Sequence, residues 1–100
     1  MSAKIPIDRQ KIANFCRRHH IRKLALFGSV LRDDFRTDSD VDVLVEFEQG
    51  ASAGFLRLAA MQLELSEMLG RRADLRTPHE LSRYFRDEVV RTAEVQYAAA

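Results

Sequence analysis

GSVLRDDFRTDSDVDVLVEF, residues 28–47, carries a Gly-Ser turn through ten intervening residues to two aspartates, Asp40 and Asp42, at the mouth of an apolar strand. Val41, Val43, Val45 and Phe47 alternate with Asp40, Asp42, Leu44 and Glu46, the period of a strand with one buried face. Residues two apart on a strand project to the same side with Cα atoms roughly 6–7 Å apart, so both carboxylates can converge on one point beyond the strand edge. Like charges held so close stay ionised at little cost only when cations sit beside them. Oxygen donors of this kind select Mg²⁺ or Mn²⁺, and magnesium completes its shell with water and substrate phosphates.

Outward from this stretch, Arg22–Phe27 reads as a strand that stops at Gly28, and Ser29–Asp34 as a short helix opened by Ser29. Asp8 caps a helix over 8–19, with Ile12, Phe15 and Cys16 at helical spacing and basic residues in the last turn. Leu58, Met61, Leu65 and Met68 mark an amphipathic helix ended by Gly70. Residues 72–76 form a third strand carrying Asp74. Thr77, Pro78 and Glu80 then supply an N-cap, a first-turn proline and a capping-box glutamate for a helix over 78–95. This order predicts an α/β fold: one small domain over residues 1–100, with a three-stranded mixed sheet flanked by helices. An uncovered sheet edge or apolar helix face on so small a domain implies a protein partner.

Asp74 has Ala73 and Leu75 facing the other way, so a third carboxylate joins the pair if its strand neighbours 41–47. Three carboxylates can bridge two ions, and ions about 3.5–4 Å apart clamp the attacking and leaving oxygens of a transfer to phosphorus. Gly28 lets the backbone approach a phosphate, and the helix start at Ser29 aims free amides at the same oxygens. Arg32, three residues on, leans back toward that turn and can reach the phosphates; Arg36 is the weaker candidate.

Gly-Ser, the spacer, SDVDVLVEF and a later acid together resemble the nucleotidyltransferase superfamily of DNA polymerase beta type. Within it, the element order and RADLRTP, residues 72–78, resemble the minimal nucleotidyltransferases (MNT). The resemblance implies the antitoxin half of a HEPN/MNT toxin-antitoxin pair, transferring AMP from ATP to a tyrosine of a cognate HEPN RNase toxin. It implies that Gly28 and Ser29 bind the triphosphate, that Asp40 and Asp42 hold two Mg²⁺ ions with Mn²⁺ a possible substitute, and that Asp74 completes one metal site and can help deprotonate the acceptor. Leu31 stands where the family usually has alanine, and Asp33 where glycine is frequent, adding negative charge near the incoming triphosphate.

Plainer readings exist for the same residues. Asp40 and Asp42 can be solvated strand-end charges, Asp74 can pair with Arg72 or Arg76, Ser29 can be only a cap, and Arg32 can pair with Asp33 or Asp34. His19, His20 and His79 lack ligand spacing, and the Met61, Leu65 and Met68 stripe reads as core. Arg71 and Arg72 adjoin the Asp74 strand and can meet an acidic or RNA-bearing partner. A protein that neutralises its toxin by occlusion is the alternative to an enzyme. Transfer to a small molecule lacks the additional domain that would shape an acceptor pocket.

Composition narrows the classes. The 100 residues are 46% apolar and 31% charged with a net charge of +1, an ordinary globular balance that disfavours direct nucleic-acid binding by bulk charge. Such a length buries roughly 60% of its unfolded surface or somewhat more. Cys16 is the only cysteine, which fits a reducing compartment, and MSAKIPID has no apolar export signal. No membrane span is expected and the cytoplasm is the expected location.

Overall fold

The computed structural model describes residues 5–31, 36, 39–51, 53–84 and 86–99. The chain runs α1 (Arg9–Arg18), β1 (Ile21–Phe27), a 3₁₀ turn (Gly28–Leu31), β2 (Val41–Phe47), α2 (Phe55–Leu69), β3 (Ala73–Arg76), a second 3₁₀ turn (Pro78–Glu80), α3 (Arg86–Thr92) and β4 (Glu94–Ala98). The mixed sheet has the order β3-β2-β1-β4. β2 is antiparallel to β1 and parallel to β3, with α2 as the crossover, while β4 runs antiparallel along the far side of β1.

The first two helices are bounded where the sequence places their caps. Asp8 accepts from the amides of Gln10 and Lys11 at 3.1 and 3.2 Å, starting α1. Gly70, with φ of 71°, closes α2 in the left-handed conformation. Phe15 and Cys16 of α1, Met61 and Leu65 of α2, and Val41, Val43 and Val45 of β2 meet Leu24 and Leu26 in one core on a single sheet face. Burial pushes the Cys16 thiol up to about 12, against a smaller lowering by Arg17, so it is an inert core side chain.

The C-terminal third corrects the expectation of one helix over 78–95 and of three strands. Thr77 and Pro78 open only a 3₁₀ turn; Leu81 is extended (φ −81°, ψ 145°), the helix resumes over Arg86–Thr92, and Glu94–Ala98 is a fourth strand. Leu24 and Ala25 of β1 pair with Tyr97 and Val95, with a bulge between them. β4 thereby replaces β1 as one edge strand of the sheet. The short helix expected over 29–34 is a 3₁₀ turn to Leu31, and 32–34 lie outside the described residues.

The other edge strand, β3, is blocked by side chains of α2. The amide of Ala73 donates to Ser66 Oγ and that of Leu75 to Gln62 Oε1, both at 2.9 Å, while Ser66 Oγ donates to the Gln62 carbonyl at 2.7 Å. These bonds satisfy outward amides that would otherwise template another strand. Ser66→Ala is expected to cost about 1–2 kcal/mol by leaving a half-buried amide unpaired, read as a lowered urea midpoint at unchanged m-value.

Glu64 ties α2 to α1, accepting from His19 Nε2 at 3.1 Å and from Arg18. Burial raises its carboxyl, but the bonds and charges of His19 and Arg18 outweigh that and hold it below the usual carboxylate value. A depressed folded pKa means the contribution is complete above the unfolded value of 4.5 and is lost as pH falls through the folded one. Urea melts should therefore show Glu64→Gln less stable by roughly 0.2–1 kcal/mol at neutral pH, with the difference closing below the unfolded value. Among the described residues no helix is long and apolar enough to cross a membrane.

Candidate active site

The register of the sheet gathers the acids. Asp42 pairs with Asp74 across the parallel β2 and β3 strands, so both side chains leave the same sheet face, and Asp40 lies two residues before Asp42 on that face. Across the antiparallel pair, Asp42 sits opposite Phe27, the residue before Gly28. Gly28 has φ of 76°, and a Cβ there would fall on Asp42 Oδ2 and within 3.2 Å of its Cγ. Glycine is thus required twice over: for the turn and for the room that the carboxylate occupies.

Asp40 is positioned by its flanks. The Arg36 amide donates to Ser39 Oγ and the Ser39 amide to the Arg36 carbonyl, both at 3.1 Å, tying these two residues together just before the first aspartate. Arg71 Nη1 donates to that same Arg36 carbonyl at 3.0 Å, and the Val41 amide donates to the Arg72 carbonyl at 2.8 Å. The approach to β2 is therefore tied to the start of β3 by backbone and guanidinium together. The sequence shows Arg71 only as a surface charge, because its partner is a carbonyl 35 residues away.

Arg72 stands beside two of the three acids. Its Nε lies 4.0 Å from Asp40 Oδ2 and 3.8 Å from Asp74 Oδ1; its side chain is 71% exposed, that of Asp74 only 21%. Among the described residues no three His, Cys, Asp or Glu side chains close into a ligand set as they stand. Asp40 and Asp74 instead each lie near the Arg72 guanidinium. The donor set still suits a hard divalent cation: it is all-oxygen, with Asp42 and Asp74 on neighbouring strands and Asp40 just before the first of them. The pairing of Asp74 with a neighbouring arginine is thus present, with Arg72, whereas Arg76 turns to Glu80 at 3.8 Å.

Of the other candidates, Ser29 contributes its backbone to the turn after Gly28, and Arg32 lies outside the described residues. Beside Asp74 a groove of about 490 Å³ runs between α2 and β3, with Leu58, Gln62, Arg72 and Glu80 in its lining. A second hollow of about 480 Å³ shares Leu58 and Glu80 but reaches Val45 and Phe47, at the opposite end of β2 from Asp40. On α2, Phe55, Leu56 and Leu63 are 83%, 82% and 69% exposed. This outward apolar face lies apart from the buried Met61 and Leu65 on the same helix.

A mixed sheet that presents acids from two neighbouring strands beside a glycine turn is the framework of a nucleotidyl-transfer domain. Residues 9–97 match the nucleotidyltransferase domain family, and the chain belongs to it. It is 32% identical over 85 residues, 85% of this chain and 89% of the relative, to a Methanocaldococcus jannaschii protein provisionally named a protein adenylyltransferase. A solved structure described provisionally as a minimal nucleotidyltransferase is 38% identical, with a TM-score of 0.69 over 85% of each chain. The fold also recurs, at 19% identity and a TM-score of 0.61, in the complex of a tri-AMPylated Shewanella oneidensis HEPN toxin with its MNT antitoxin, over 91% of this chain and 70% of that one.

Proposed function

We propose that this protein is an antitoxin that transfers AMP from ATP to a tyrosine hydroxyl of a HEPN toxin. The observation that carries the reading is the placement of Asp42 and Asp74 in register beside Gly28, with Asp40 on the same face. Support comes from the family, from the relative named for protein adenylylation and from the AMPylated toxin complex of the same fold.

In this reading Asp40, Asp42 and Asp74 would hold Mg²⁺, which when bound neutralises the phosphate oxygens and the charge developing on them. The backbone at Gly28 and Ser29 receives the triphosphate. The tyrosine oxygen attacks the α-phosphorus in line, the bond to the β-phosphate oxygen breaks, pyrophosphate leaves, and Asp74 accepts the phenolic proton. The groove along α2 opens beside Asp74, and the exposed Phe55, Leu56 and Leu63 give a protein acceptor an apolar surface to rest on.

That same apolar face favours a second reading, neutralisation by binding alone. The two separate in one assay: α-labelled ATP, Mg²⁺ and this protein added to toxin that was co-expressed with the Asp40→Asn, Asp42→Asn variant and so has not been modified in the cell. Labelled tyrosine on the toxin supports transfer, whereas a neutralised but unlabelled toxin supports occlusion.

A further inference from the structure

We propose that Arg72 is a counter-cation of the carboxylate site that competes with the divalent ion for Asp40 and Asp74, and that its guanidinium must swing out for the ion to bind. This rests on the nucleotidyl-transfer reading, because it takes the three aspartates to be the ligands.

The geometry separates the fixed part of Arg72 from the mobile part. Its carbonyl is bound by the Val41 amide at 2.8 Å, which anchors its Cα at the junction of β2 and β3. Its side chain stands between Asp40 and Asp74 at 4.0 and 3.8 Å, outside close hydrogen-bond range. Such contacts offset the repulsion among three neighbouring acids without binding the guanidinium tightly. At 71% exposed, the side chain also has solvent to move into, and it already lines the groove along α2. Arg71 next to it donates from Nη1 to the Arg36 carbonyl.

A guanidinium and a divalent cation repel each other and cannot share one pair of carboxylates at short range. Metal binding therefore competes with Arg72.

The test is Mn²⁺ titration by calorimetry, with thermal unfolding with and without Mn²⁺, on the full chain and on Arg72→Gln and Arg72→Lys. Arg72→Gln should bind Mn²⁺ roughly three- to tenfold more tightly, unfold at a lower temperature without metal, and gain more from added Mn²⁺. Arg72→Lys, which keeps the charge, should stay near the parent protein. Asp42→Asn should abolish binding in every background. If Arg72→Gln leaves affinity and metal-free stability unchanged, or weakens binding, while the parent protein binds Mn²⁺ at Asp42, the role of Arg72 is refuted and nucleotidyl transfer survives. If none of the proteins binds Mn²⁺, with or without a non-hydrolysable ATP analogue, or if Asp42→Asn binds it as well as the parent, both fall together.

Discussion

Replacing Asp40 and Asp42 together by asparagine is expected to lower AMP transfer by at least about a thousandfold, with little change in thermal stability. Each asparagine keeps the size and one oxygen of the side chain but removes the charge that a hard cation needs. Metal stabilisation of transferring phosphate oxygens is worth several kcal/mol, and each 1.36 kcal/mol is a factor of ten in rate. The fold should tolerate the change because Asp40 is 44% exposed and the core lies on the other face of the sheet. The readout is the initial rate of label transfer from ATP to the toxin, beside co-purification of the two proteins. Loss of transfer with retained co-purification is the expected pair of results. Transfer at near-parental rate would place the chemistry elsewhere.

The second large effect is expected at Gly28. Alanine there faces two separate penalties. The left-handed φ of 76° costs an L-residue roughly 1–2 kcal/mol, and the new Cβ collides with the Asp42 carboxylate. Neither can be relieved without moving the turn away from β2 or turning Asp42 out of the site. Gly28→Ala should therefore lower stability by about 2–3 kcal/mol, on the order of a 10 °C drop in Tm for a domain of this size, and should reduce transfer even below the melting range. Gly50→Ala is the control: it has a φ of 82° and nothing within 4 Å of the added Cβ, so it carries the backbone penalty alone. Equal losses at both positions would mean that the contact with Asp42 contributes nothing.

What could be read from the sequence follows from how local each signal is. The strand over Val41–Phe47 and its two acids are visible because alternation is a property of adjacent residues. Asp74 could be placed on the same face as Asp42 only on the condition that its strand was a neighbour, and the register supplies that condition. β4 escaped notice because Val95 and Tyr97 find their partners in Ala25 and Leu24, some 70 residues away, while the capping signal at Thr77–Glu80 pointed to a long helix. Leu81, extended immediately after that signal, ends it by tertiary packing rather than by any breaker residue. Ser66 and Gln62 looked like polar residues of α2; their task of closing the β3 edge exists only once the crossover is folded. Arg71 and Arg72 are alike in sequence and unlike in space, one bound to a carbonyl and the other standing between carboxylates.

The central claim is that these three acids are the seat of a metal-assisted transfer to phosphorus. Its most direct test is anomalous diffraction from crystals grown with Mn²⁺ and a non-hydrolysable ATP analogue. The account predicts Mn²⁺ about 2.1 Å from oxygens of Asp40 and Asp42, Asp74 ligating one ion, phosphates against Gly28 and Ser29, and Arg72 displaced from between the acids. Nucleotide and metal bound away from these carboxylates, with Arg72 still between Asp40 and Asp74, would contradict it.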